Sequence, residues 1–379
     1  MDVELVDHHC HTVVRGALDR TGLEAFLTES DRPPPDGCSH FDTQLGFAVR
    51  RLCAPVLDLP AGAPPDDYVA RRRELGADEV NRRLLRGAGV STMLVDSGLG
   101  DDAMLDLPGL AQLSHATVHD VVRLESVADD VAAGEPTAAQ FAGAFAAELQ
   151  ARAGHAVAVK SVIAYRDGLD FDPRRPSATE VRAAAGEWLG RGAGRPNHPV
   201  LLRHILWQGL DTGLPLQLHT GFGDPDEDLR RCDPALLTGF LRAATAPVML
   251  LHCYPYHRQA AYLSSVFPHV HMDVGLGIPY VGRRAEVVLA EALELAPFHK
   301  VLYSSDAYGA AELHFVAAAM FRRALADALN PLLASDTETA RIAGLIGSGN
   351  ARRVYGDAIG AVTGHVGLRR PRLRGHDQD

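Results

Sequence analysis

Residues 3–11 read Val-Glu-Leu-Val-Asp-His-His-Cys-His. An apolar, β-branched start that ends in histidines outlines a buried strand whose last residues carry chemistry. The outline recurs along the chain. Apolar runs at 3–10, 90–96, 117–124, 156–164, 214–219, 247–252, 270–274 and 301–304 alternate with alanine-rich helical stretches such as 138–152, 179–191, 234–244, 258–266, 284–295 and 310–329. Near-continuous apolar strands predict a parallel sheet covered on both faces. Eight such strand–helix units predict an α/β fold of the (β/α)8 TIM barrel type. Residues 20–88, between the first two runs, exceed the usual connection. With the turns Arg32-Pro33-Pro34-Pro35 and Ala63-Pro64-Pro65-Asp66 and helical stretches beside them, they read as a helical insertion, a lid over the C-terminal mouth. The barrel is expected over 1–360, and the arginine-rich residues 361–379 as a disordered basic tail.

Composition narrows the function. Thirty-seven basic residues stand against 48 acidic ones, a net charge of −11, which disfavours a broad nucleic-acid-binding face. No apolar run reaches the roughly 18–20 residues of a membrane helix. Met1-Asp2-Val3-Glu4 has no basic n-region, so no signal peptide is expected. Cys10, Cys38, Cys53, Cys232 and Cys253 are odd in number and lack a CxxC spacing, which fits a reducing cytoplasm. A small-molecule substrate is the expected partner. A homo-oligomer stays open, because surface cannot be told from core in so alanine-rich a chain.

Catalytic residues of a barrel sit where strands end. The first run ends Asp7-His8-His9-Cys10-His11, the fifth at His219, the sixth at His252, and the last is followed by Ser305-Asp306. His9 and His11, two apart, share a strand face, while His8 and Cys10 point away. His9, His11, His219 and Asp306 thus make a candidate set for zinc or a similar ion, which takes imidazole nitrogen and carboxylate oxygen and leaves a position for water. Asp306 suits a general base that takes the proton of that water. His252 could be a further ligand or could polarise a substrate carbonyl. Any one strand-end histidine alone is more often structural than a ligand; their conjunction on several strands carries the expectation. Cys10 and Cys253 are expected to be buried small hydrophobes.

The basic residues comprise 35 arginines and only two lysines, Lys160 and Lys300. A guanidinium cannot replace lysine where a neutral amine is needed. Lys160 at the end of the fourth run could become a metal-ligating carbamate, form a Schiff base or act as a base. Lys300 stands for the chance alternative. Arg166, just beyond that run, suits a substrate carboxylate or a salt bridge. Gly221 and Gly223, and Gly275 and Gly277, keep loops low near these strand ends.

The pattern Asp7-x-His9-x-His11 with Lys160, His219, His252 and Asp306 on successive strands resembles the amidohydrolase superfamily. "KSVIAYRDGL", "KVLYSSDAYGAAELHF" and "GNARRVYG" look most like its amidohydrolase-related branch, similar to the domain fused ahead of glutamine-synthetase-like domains. The resemblance implies a metal-dependent barrel, commonly with zinc. It matches His9, His11 and His219 to ligands, Asp306 to the strand-eight acid, and Lys160 to the carboxylated lysine of two-metal members. One or two divalent ions follow. The expected activity is hydrolysis of an amide C–N bond of a small carboxylate-bearing substrate, with metal-bound hydroxide as nucleophile. The alternative is a decarboxylase or isomerase of a small carboxylic acid on the same site.

Overall fold

The computed structural model describes residues 2–100, 102–333 and 335–359; the expected tail, 361–379, lies outside the described residues. Seven parallel strands form one sheet in sequence order: β1 (Leu5–Cys10), β2 (Val90–Asp96), β3 (Thr117–Arg123), β4 (Ala158–Ser161), β5 (Leu216–Thr220), β6 (Val248–His252) and β7 (Val270–Met272). Helices follow the strands, among them Phe141–Ala153, Ala178–Gly190, His257–Val266, Ala285–Leu293 and Ala311–Leu329. The fold is therefore α/β and TIM-barrel-like. The eighth expected strand, at 301–304, is corrected. Among the described residues it pairs with β7 through a single bridge, Met272 to Val301. Leu302 N donates to the Met272 carbonyl at 3.0 Å and His8 N to the Tyr303 carbonyl at 3.1 Å. The segment thus runs between β7 and β1 without a regular ladder. Its chain then turns so that Asp306 adopts a left-handed φ of 51°, which a strand cannot hold.

The strands are largely buried, with apolar side chains on both faces of the sheet, although β3 begins exposed at Thr117. Val6, Leu94, Val121, Ala158, Met249, Leu251 and Leu302 pack together, with Tyr355 and Ile359 joining them. Leu5, Met93, Val95, Val159, Leu218 and Leu250 belong to the larger core that includes the helices. Cys10 and Cys253 are fully buried, as their small apolar character suggests. No helix among the described residues is long and apolar enough to cross a membrane.

Residues 20–88 carry helices Arg20–Glu24, Gln44–Leu52, Pro65–Leu75 and Ala77–Ala88. They are pinned to the rest by a buried ion pair. Arg72 Nε donates to Glu312 Oε1 at 2.6 Å, and the Tyr68 hydroxyl donates to the same oxygen at 2.9 Å. Glu312 begins the helix Ala311–Leu329, where the positive helix end also favours a carboxylate. Gly309, at φ 75°, admits the Phe26 ring so closely that any Cβ there would collide with it.

β1 departs from simple alternation. Asp7 pairs with Met93 but Cys10 with Val95, so three steps on β1 oppose two on β2. The extra residue of this bulge moves both His8 and His9 toward the partners inside the barrel. His8 therefore does not point away as regular alternation predicts. Its Nε2 lies 2.9 Å from Asp273 Oδ2 and its Nδ1 2.9 Å from the Tyr355 hydroxyl.

Candidate metal centre

The side chains from the ends of β1, β4 and β6 and from the loop after the 301–304 segment meet in one buried patch. Asp306 Oδ1 is 3.0 Å from His9 Nε2 and 3.5 Å from His11 Nε2, while its Oδ2 is 3.4 Å from His252 Nε2. Lys160 Nζ donates to His9 Nε2 at 3.1 Å. Asp306 and His252 (φ 66°) both hold left-handed backbone, a strained conformation that needs support. The support is visible: Asp306 N donates to the His9 carbonyl at 3.1 Å, and His252 N to Asp273 Oδ1 at 2.9 Å.

Hydrogen bonds behind the rings decide which nitrogen faces the patch. Gln217 Nε2 donates to the His8 carbonyl at 2.6 Å and to the Tyr355 hydroxyl at 3.0 Å. Its Oε1 is therefore the atom that accepts from His9 Nδ1 at 2.9 Å. His11 Nδ1 donates to the Asp96 backbone carbonyl at 3.1 Å. A carbonyl can only accept, so both Nδ1 atoms carry the proton and both Nε2 atoms present lone pairs. The His9 lone pair is met by Lys160 Nζ, whereas that of His11 faces Asp306 Oδ1 with no proton between them, a repulsive contact that a cation would relieve.

The charge states agree. Burial, then the Lys160 ammonium, pushes His9 down to about 4. Burial also holds His252 well below the usual imidazole range. Neutral imidazoles and an ionised carboxylate form a donor set that fits a divalent cation. His9, His11 and Asp96, and separately His9, His252 and Asp306, each place three ligand atoms within 4.8 Å of one another.

His219 stands at the edge of this patch. Its ring centroid is 4.8 Å from that of His252. Its Nε2, however, lies 3.2 Å from Glu227 Oε2 and its Nδ1 3.3 Å from the Tyr165 hydroxyl. Among the described residues it joins none of the close ligand groups. Gly223 lies so near Tyr165 and His219 that a Cβ would collide there, which accounts for a glycine in this loop. Lys160 is buried, and that burial lowers its pKa although Asp96 and Asp306 oppose it. Lys300 instead donates to the Pro268 carbonyl, away from the patch.

The patch opens into a cavity of about 450 Å3 lined by His11, Lys160, His219, His252 and Asp306, by Arg166 and Arg195, and by Phe26, Glu29 and Tyr280. Arg166 Nη1 is 3.5 Å from Asp226, while its Nε is buried without a partner. Asp96, Gln217, Asp273, Glu227, Glu29 and Tyr280 were not anticipated from the sequence. Two of them were within reach. Asp96 ends β2 as His252 ends β6, and Gln217 precedes His219 by two on the same strand face.

This constellation on a TIM-barrel-like sheet defines a class of metal-dependent barrel enzymes. The Amidohydrolase family model (Amidohydro_2) matches residues 146–356, more than half of the chain, and the chain belongs to that family. It is 30% identical to a protein of Lactobacillus casei ATCC 334 provisionally assigned as a metal-dependent hydrolase, with a TM-score of 0.84 over 93% of this chain and 95% of that one. It is 37% identical over 185 residues to the protein fluG of Emericella nidulans, a match that takes in 45% of this chain and only 21% of the length of that relative. The uronate isomerase of Bacillus halodurans C-125 shares the fold at 12% identity, with a TM-score of 0.61 over 93% of each chain.

Proposed function

We propose that the protein is a metal-dependent hydrolase that cleaves an amide C–N bond of a small carboxylate-bearing substrate. The carrying observation is the pair of lone-pair nitrogens, on His9 and His11, fixed by Gln217 and the Asp96 carbonyl to face one Asp306 oxygen. His9, His11 and Asp306 would hold the ion, with His219 as a further nitrogen donor, and zinc suits such a set. A bound divalent ion supplies a more acidic water and a polarised carbonyl. Asp306, ionised and only slightly exposed to the cavity, takes the proton from the attacking water and returns it to the leaving nitrogen. The carbon gains an oxygen and loses the nitrogen, which departs as the amine. His252 offers an N–H to the carbonyl oxygen as negative charge develops there. Lys160 Nζ, which donates to His9 Nε2, would release that bond when His9 holds an ion, and as a carbamate it would ligate a second one. The unpartnered Nε of Arg166 gives a substrate carboxylate its anchor. The residues 20–88 close the cavity on one side and serve as its lid, and the 301–304 segment takes the place of an eighth strand.

The test is metal analysis of the purified protein followed by assay of acyl amides for released amine. Bound divalent ion with amine release is expected. Absence of a bound ion would refute the assignment, and release of carbon dioxide from carboxylic acids without amine release would replace it with decarboxylation.

A further inference from the structure

The loop after helix Arg20–Glu24 forms one wall of the cavity, and a single carboxylate ties both of its ends. Glu24 accepts from Arg20 Nε at 2.8 Å, from the Ser39 hydroxyl at 3.1 Å and from His40 N at 2.7 Å. Within the loop the Phe26 ring meets Tyr308 edge-on at 5.5 Å, and Tyr308 meets His11 edge-on at 5.7 Å. Three residues on, Glu29 lines the same cavity as Asp306. The Tyr280 hydroxyl donates to Glu29 Oε1 at 2.7 Å, and the Tyr280 ring is braced edge-on by Phe222 at 5.3 Å.

Arg166 and Arg195 line the cavity and share Asp226, at 3.5 and 3.1 Å, with Asp224 in the same lining, and the Arg166 Nε has no partner among the described residues. The surroundings of Glu29 differ. Its hydrogen-bond partner is a neutral phenol, and the charges acting on it most strongly, Asp306, Asp224 and Glu227, are all anions. Burial, added to by those anions, lifts its carboxyl to about 7. A carboxyl so placed is poorly stabilised as an anion until a ligand brings it a positive charge. An ammonium group can make a charge-assisted bond to it that a neutral group cannot match.

We propose that Glu29, backed by Tyr280, is a subsite for a protonated amine of the substrate, in the same cavity as Arg166 and Arg195, which take its carboxylate. The substrate class is then an amide of an amino acid with ammonium and carboxylate both free. The word amide in that class rests on the hydrolase proposal; the amine subsite does not.

The experiment is calorimetric titration of the purified, metal-loaded protein with L-glutamate and L-aspartate, and with glutarate and succinate, which lack only the ammonium. The amino acids should bind at least about tenfold more tightly, the scale of one good charge-assisted contact. Glu29→Gln should abolish that preference without weakening the diacids. Glu29→Asp, which keeps the charge, should retain a preference. A preference equal in the wild type and in Glu29→Gln would overturn the proposal, as would a wild type that prefers neither amino acid. The two proposals fail separately. Glu29-dependent amine binding without any amide hydrolysis sinks the hydrolase alone. Amide hydrolysis whose selectivity Glu29→Gln leaves unchanged sinks the subsite alone.

Discussion

His9, His11 and His252 stand at the ends of hydrogen-bonded strands, whereas Phe26 and Glu29 hang on a loop outside the sheet, pinned by Glu24. The strand-end wall is stiff because each residue is held by its strand, and the His9 and His11 rings are fixed again by a bond behind them. The loop wall is held by a few polar ties, and its position depends on the insertion docking through Arg72 and Glu312. The contrast separates two jobs. A metal site needs ligand atoms placed to a fraction of an ångström, while a substrate wall can be exchanged or moved without disturbing the chemistry.

The contrast can be broken most severely at Asp306. Asp306→Asn should lower kcat by about 10²–10⁴-fold, the range for loss of a positioned acid–base group. The same variant should show reduced metal content by elemental analysis with little loss of thermal stability; near-wild-type turnover would remove Asp306 from the mechanism. Next comes the anchor of the other wall. Arg72→Ala leaves Glu312 buried without its cation and should cost about 3–5 kcal/mol of stability in denaturant unfolding. A loss below about 1 kcal/mol would show that the insertion docks by apolar packing instead.

A smaller effect is expected behind the metal patch. Gln217→Leu removes the acceptor that sets the His9 tautomer and should weaken metal binding by about 10–100-fold. Unchanged affinity in a competition titration with a chelator would mean that the strand alone orients His9. The smallest effect concerns pH. The folded protein raises Glu29 from 4.5 to about 7, so the folded state binds the extra proton. That contribution to stability is fully present below pH 4.5 and is lost as the pH rises through about 7. Relative to Glu29→Gln, the wild type should therefore lose Tm across that window. Parallel Tm profiles would place Glu29 in water rather than against the cavity.

The strand ends were legible because a parallel barrel sends catalytic side chains to one rim. That logic led from His9, His11, Lys160, His252 and Asp306 to one buried patch. Asp96 and Gln217 obeyed the same logic and went unnoticed because neither is a histidine. His219 was found on its strand, yet its Nε2 turns to Glu227, a loop residue with no periodic signal. Glu29 and Tyr280 lie 251 residues apart, and nothing in either local stretch announces the other. The β1 bulge is a similar case: alternation predicts His8 facing away, and one extra residue reverses it.

The amino-acid sequence by itself determined the parallel α/β architecture, since near-continuous apolar runs can be buried only between two helical layers. It also determined the kind of chemistry, since imidazoles and a carboxylate at strand ends have few other uses. The tertiary structure alone decided which nitrogens of His9 and His11 face Asp306, which charged groups meet in the cavity, and where Glu29 sits. Those outcomes depend on contacts between residues remote in the chain, where periodicity carries no information and only the closed packing of loops on the sheet sets distance and charge.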